Sequence, residues 1–338
     1  MEFRRLGSTE LMVSRLGLGA MVLGEWGNRD RASCERIIHG ALDAGVNLVD
    51  TADMYAQGEN EEIVGQALAG RRDEVVLTTK FHHQMGDDPA CSGNSRRWIM
   101  QAVDDSLRRL NTDRIDVYQA HRPDRSVPIE ETIEALSDLV AAGKILHWGT
   151  STFPVEDIVT AHWGADRVNA VAPATEQPPY SILTRGAERD VLDVCRRLDV
   201  GVLVWSPLSG GWLTGKHQPG VAVDPGSRAA TNPDHFDGDN AAKADGVRRL
   251  TAIAADAGLS LTHMALAWTT EHPAVTCALM GPRTEEQLAD LLAGADVVLA
   301  PDVLDAIDEV VAPGTNLNPA DVGWDPPGLH PSARRRPQ

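Results

Sequence analysis

Eight short apolar runs alternate with longer segments of helical spacing from one end of the chain to the other, and this alternation limits the possible architectures more than any other feature. The runs read as strands are 15–19, 47–50, 75–80, 115–121, 144–150, 169–176, 201–206 and 276–280. Between them lie amphipathic patterns, among them 33–44, 59–69, 96–110, 129–142, 185–198 and 242–257. Strands that alternate with helices pair in parallel through crossovers. Eight such units in roughly 300 residues predict a single closed (β/α)8 barrel over 1–312, with an N-terminal hairpin ahead of it. An open doubly wound sheet is the alternative. Glycines follow two helical segments, at Ala44-Gly45 and Ala142-Gly143, as expected at helix C-termini.

The 338 residues are 42% apolar and 24% charged, enough for one large core, and at 4% aromatic that core must be aliphatic. The net charge of −18 repels phosphate backbones and anionic lipid, so neither nucleic acid nor a membrane is expected as a partner. An anionic ligand would need a local basic pocket set against that field. Cys34, Cys91, Cys195 and Cys277 form no CxxC pair and suit a reducing, cytoplasmic setting. The charged N-terminus and the lack of any 18-residue apolar run predict neither a signal peptide nor a membrane span. Segments 84–95 and 207–240 are too polar or too rich in Gly and Pro for regular structure, and long loops of this kind tend to be functional. The tail 313–338, ending in Arg334-Arg335-Arg336, is expected to be extended or partly disordered. Composition leaves open whether the chain is a monomer or a homo-oligomer.

Common nucleotide and hydrolase motifs fail. Gly17-Leu18-Gly19 lacks the third glycine of a dinucleotide fingerprint, and no P-loop, HExxH or GxSxG occurs. His82-His83 and Asp87-Asp88 are neighbours in one loop that seldom converge on an ion, so no metal is expected. Polar residues instead close successive strands: Asp50, Lys80 and His121, with Tyr55 soon after the first. In a β/α barrel these strand ends share one face, where active sites sit. Each residue alone also has an ordinary structural reading, as a buried ion pair, a packed tyrosine or a satisfied histidine. Together they suit proton donation to a developing alkoxide. An ammonium beside a phenol favours its phenolate, a carboxylate keeps that ammonium charged, and an imidazole orients a carbonyl oxygen. Such acid catalysis supplies about 10² to 10⁴ in rate, so a hydride donor must also be bound.

Asp50-Thr51-Ala52-Asp53-Met54-Tyr55, Lys80 and Tyr118-Gln119-Ala120-His121-Arg122-Pro123-Asp124 resemble the aldo-keto reductases. So do Gly143-Lys144-Ile145, Trp205-Ser206-Pro207-Leu208, Gly210-Gly211 and Gly281-Pro282-Arg283-Thr284, in order over nearly the whole chain. The resemblance implies a (β/α)8 barrel that binds NADPH, with NADH the lesser choice, and a catalytic tetrad of Asp50, Tyr55, Lys80 and His121. It further implies nicotinamide contacts at Ser151, Gln177 and Trp205, and a pyrophosphate segment at Ser206, Leu208, Gly210 and Lys216. Adenosine 2′-phosphate and adenine contacts fall at Arg283 and Gln287, with Gly19, Met21, Asp50 and Gly281 completing the cofactor set. Three positions depart from the family pattern. Thr152 stands where asparagine is common, Thr150 replaces a valine, and Leu291, preceded by Asp290, replaces an adenine-contacting asparagine.

Candidate pocket walls are Trp26, Tyr55, Phe81, His82-His83, His121 and the start of 207–240. The reading this favours is NADPH-dependent reduction of an aldehyde or ketone, the partner being a small carbonyl compound. A reductase of a keto or enone group on a deoxysugar nucleotide or secondary metabolite is the narrower alternative; basic residues at the pocket mouth would mark the nucleotide form. A non-catalytic NADPH-binding partner subunit, like the channel-associated members of the family, is the third.

Overall fold

The computed structural model describes residues 1–216, 230, 240–324 and 333. A short antiparallel hairpin, β1 (Phe3–Arg5) and β2 (Met12–Ser14), precedes eight parallel strands. These are β3 (Leu16–Gly19), β4 (Leu48–Asp50), β5 (Val76–Phe81), β6 (Ile115–Ala120), β7 (Ile145–Ser151), β8 (Thr175–Gln177), β9 (Gly201–Val204) and β10 (Cys277–Met280). They run in chain order around the ring, and β10 closes it by pairing with β3. The predicted barrel is therefore the fold, and the open sheet is excluded.

The hairpin plugs the end of the barrel at which the strands begin. Leu6 and Val13 lie fully buried against Leu48, Val76, Val117, Leu203 and Cys277, side chains of β4, β5, β6, β9 and β10. Higher up, the interior narrows around small residues. A Cβ on Gly149 would sit 1.9 Å from the Thr175 hydroxyl, so only glycine lets β7 and β8 pair there. Between barrel and helices lies the larger core, mostly Leu, Ile, Val and Ala, as the scarcity of aromatics requires.

Helices fill the connections. Asp30, Ser95, Ser260 and Thr284 cap Arg31–Asp43, Arg96–Arg109, Leu261–Glu271 and Glu285–Ala293 by accepting N–H bonds of the first turn. Gly45 and Gly143 follow helix ends with φ of +88° and +72°, the conformation glycine adopts without strain.

Four boundaries differ from expectation. The run 169–176 is strand only at Thr175–Gln177, because Asn169 ends the helix Val155–Val168 in the left-handed region and Pro173 follows. His121 lies just beyond β6, although its N–H still bonds the Phe81 carbonyl at 2.9 Å. The helix predicted over 185–198 is split into Gly186–Arg189 and Val191–Arg197 at Asp190, whose carboxylate accepts the Val191 N–H. Residues 313–324, read as the start of the tail, pack on the barrel: Leu317 N–H bonds Leu183 O at 3.0 Å, and Asp321 pairs with buried Lys243 at 2.8 Å. Arg334, Arg335 and Arg336, and 217–229 and 231–239 of the long loop, lie outside the described residues. No single described helix is long and apolar enough to cross a membrane.

Candidate active site

Side chains alternate along a strand, so the last inward residue of each barrel strand faces the same mouth. Asp50 closes β4 and Lys80 is next to last in β5, and their side chains meet there. Lys80 is completely buried; its Nζ donates to Asp50 Oδ2 at 2.6 Å and to the Thr51 carbonyl at 2.8 Å. Asp50 Oδ1 accepts from Thr78 Oγ1 at 2.6 Å and Gln177 Nε2 at 2.9 Å. The same ammonium lies 5.3 Å from the centre of the Tyr55 ring, so carboxylate, ammonium and phenol are grouped on one side of the barrel mouth.

Tyr55 follows β4 on a strained turn. Ala56 and Gln57 both have left-handed φ, near +50°, before Gly58 at +96°. Two consecutive non-glycine residues there cost energy that the surroundings must offset. Asn60 supplies part of the hold: it accepts from Thr51 Oγ1 at 2.5 Å and donates to the Ala20 and Leu23 carbonyls. Gln57 reaches across to the Gly86 N–H, which ties down the loop 84–95.

The protonation states follow from burial and charge. Burial raises the Tyr55 pKa; the Lys80 charge and hydrogen bond act against it without prevailing. The simple expectation that the ammonium lowers the phenol's pKa is therefore reversed in sign by desolvation. For Lys80, burial disfavours the cation, but Asp50 and Tyr55 outweigh it and the net pKa is raised. His121 is held well below the usual histidine range by burial, then by the charges of Lys80 and Arg122, so its imidazole is neutral. Behind the tyrosine, Asp53 is fully buried with both carboxyl oxygens unpartnered. Burial, reinforced by Glu61, raises its pKa well above normal.

Around the mouth, Trp26 lies 5.8 Å from the Tyr55 ring and His121 lies 6.0 Å from it, edge on. His83 packs 4.7 Å from His121, and His82 adjoins His83 while its Nδ1 donates to Asn94 Oδ1 at 2.8 Å. Phe81 is a correction. Lys80 points into the barrel, so Phe81 points outward, where it is fully buried 4.9 Å from Tyr118 and lines no open pocket.

The residues expected to hold a cofactor lie along the adjoining rim. Ser151 is buried and donates to the Gln177 carbonyl at 3.0 Å. Trp205 Nε1 donates to Thr152 Oγ1 at 3.3 Å. Thr152 has φ of +58°, a conformation that asparagine tolerates better than a β-branched residue. Glu176 underpins this turn, accepting from Thr150 Oγ1 at 2.5 Å and the Phe153 N–H at 3.2 Å. Neither sequence pattern nor motif singled out Glu176 or His83's contact with His121.

After Trp205 the chain curls through left-handed residues at Ser206, Ser209, Gly210 and Gly211, with Leu208 between them and Lys216 exposed at the end. Gly19 pairs in register with Asp50, Met21 sits in the turn Ala20–Val22, and Gly281 lies exposed past β10, where a Cβ would make only ordinary contacts with Gly19 and Val22. Arg283 precedes the helix Glu285–Ala293. Its guanidinium has no ion-pair partner among the described residues. Gln287 turns back to accept the Arg283 N–H at 2.9 Å, a capping role that Thr284 reciprocates. Asp290 is engaged by His263, and Leu291 is buried. An unpaired arginine at a helix N-terminus, an exposed lysine and a half-buried tryptophan fit a phosphate-bearing dinucleotide. Among the described residues no three His, Cys, Asp or Glu side chains are grouped to hold a metal ion.

The profile of the aldo/keto reductase family matches residues 15–312. A Bacillus subtilis protein named "Aldo-keto reductase YhdN" is 36% identical, covering 86% of this chain and 88% of that one. An Arabidopsis thaliana protein named "Probable voltage-gated potassium channel subunit beta" is 37% identical, covering 92% and 97%. The "Uncharacterized oxidoreductase YrpG" of Bacillus subtilis is 34% identical, covering 96% and 100%.

Proposed function

The chain belongs to the aldo/keto reductase family, and from that premise we propose that it reduces an aldehyde or ketone to the alcohol with NADPH, Tyr55 being the proton donor. The observation that carries this reading is the arrangement at Lys80, which donates to Asp50 and the Thr51 carbonyl and lies 5.3 Å from the Tyr55 ring centre. Bound NADPH would supply the hydride. Ser151 and Gln177 would orient its nicotinamide, Trp205 would pack on that ring, and Ser206, Leu208, Gly210 and Lys216 would hold the pyrophosphate. Gly19, Met21 and Gly281 leave room along the rim, Arg283 would take the 2′-phosphate, and Gln287 stands beside it.

The protein's own groups then have separable tasks. Neutral His121 donates a hydrogen bond to the carbonyl oxygen without adding charge. Tyr55 stays protonated throughout the neutral range because burial raises its pKa, so its proton is present when the oxygen becomes basic. As that proton leaves, the phenolate forms against an ammonium already in place, and no reorganisation is needed. Asp50 keeps Lys80 charged despite complete burial.

A second reading, a cofactor-binding partner subunit, draws on the relatives named as channel subunits. The complete tetrad favours catalysis over it. The nucleotide-sugar reading needs clustered cations at the mouth, and among the described residues Arg122 is the cation there without a carboxylate. The test is NADPH oxidation with a panel of simple aldehydes and ketones, alongside a fluorescence titration of NADPH binding. Turnover supports the reductase; tight binding with no turnover across the panel favours the partner subunit.

A further inference from the structure

Arg122 follows His121 directly at the mouth and is partly buried. Its Nη1 donates to the His121 carbonyl at 2.5 Å, which fixes the guanidinium over the site. Among the described residues no carboxylate hydrogen-bonds or ion-pairs with it, and Glu176 acts on it only at a distance, although this chain carries 18 excess negative charges. Other arginines drawn into the fold are paired: Arg72 with Asp116 at 2.6 Å, Arg109 with Glu61 at 2.7 Å and Arg185 with Glu188 at 2.9 Å. A desolvated cation without a partner is costly, and chains keep one where a ligand completes the pair.

A methyl group on Gly323 would lie 2.9 Å from Trp205 Cζ2 and 3.6 Å from Arg122 Nη2, so Gly323 packs against both the ring and the guanidinium. Tyr55, His121, His82 and His83 all feel the Arg122 charge. Lys80 is already neutralised by Asp50. Burial holds His82 below its usual value and His83 at about 4, so neither adds charge near neutral pH. Among the described residues Arg122 is then the cation at the mouth with no carboxylate in hydrogen-bond contact, presented as a planar fork that matches a carboxylate.

Building on the carbonyl-reductase reading, we propose that Arg122 binds a carboxylate on the substrate, so that the preferred substrates are aldehydo acids or keto acids bearing one negative charge. A diphosphate would need more cations than the described mouth offers. The carboxylate lies at Arg122, and the carbonyl oxygen lies between Tyr55 and His121.

The test compares succinic semialdehyde with its methyl ester, and carboxybenzaldehyde with its methyl ester, in the wild-type enzyme and in Arg122→Gln and Arg122→Lys. The wild type is expected to favour each acid by at least about tenfold in kcat/KM, through KM, as a charge-assisted pair implies. Arg122→Gln should bring acid and ester within about twofold, while Arg122→Lys retains part of the preference. NADPH affinity by fluorescence and thermal midpoint are read in every variant. Equal use of acid and ester by the wild type, or a preference that survives in folded Arg122→Gln, overturns the assignment of Arg122. A rise in NADPH Kd that matches the rise in KM makes Arg122 a cofactor contact and also overturns it. Failure of every acid and every ester with NADPH bound contradicts the carbonyl-reductase reading itself.

Discussion

Glu176 gives the most quantitative prediction. It is fully buried on β8, accepts hydrogen bonds from Thr150 and Phe153, and has no ion-pair partner among the described residues, the Arg122 charge acting on it only at a distance. Burial raises its pKa from 4.5 to about 7. In the unfolded chain the proton leaves near the ordinary value; in the folded chain it stays on until about pH 7. Between those values the folded state binds more protons, so this residue makes folding less favourable as pH rises. At about 1.4 kcal/mol per pH unit the full window amounts to about 3 kcal/mol. Glu176→Gln keeps the shape and removes the titration. Urea unfolding of both proteins at pH 5, 6, 7 and 8 isolates the effect, because every other group is shared. The two should be nearly equal in stability at pH 5, and the glutamine variant should gain progressively to pH 8, approaching that figure. A difference that stays flat, or that falls as pH rises, would refute the reasoning.

Two further substitutions probe the site. Lys80→Met strands the Asp50 charge in the interior and should destabilise by about 3 kcal/mol, the low end for a broken buried pair, because Thr78 and Gln177 still donate to Asp50. Adding Asp50→Asn should recover at least half of the loss in urea unfolding; no recovery would mean that the pair is not coupled. Arg283→Ala should raise the KM for NADPH at least about tenfold more than that for NADH, since only the former carries the 2′-phosphate. An equal effect on both removes Arg283 from the phosphate site.

The barrel was legible because its strands are buried on both faces and read as continuous apolar runs bounded by Gly, Asp, Lys and His. The same property hid direction. A run such as Val75 to Phe81 does not show which residue faces inward, so the sequence alone offers Phe81 as a pocket wall beside Lys80. Strand β8 was misplaced because the Ala-rich stretch after Asn169 looks apolar yet serves as a connection. The tetrad could be found because its members are ionisable groups at strand ends. Glu176 could not, since its meaning lies in what surrounds it: a buried carboxylate beneath a left-handed threonine. Arg122 was visible within a motif, but only the fold shows that no acid among the described residues pairs with it.

The central claim is that a buried phenol beside a charged lysine delivers the proton. Tyr55→Phe with saturating NADPH, on a substrate whose chemical step limits turnover, tests it most directly. The account requires NADPH affinity within about twofold of wild type and kcat reduced at least about tenfold. Full turnover by the phenylalanine enzyme would contradict it.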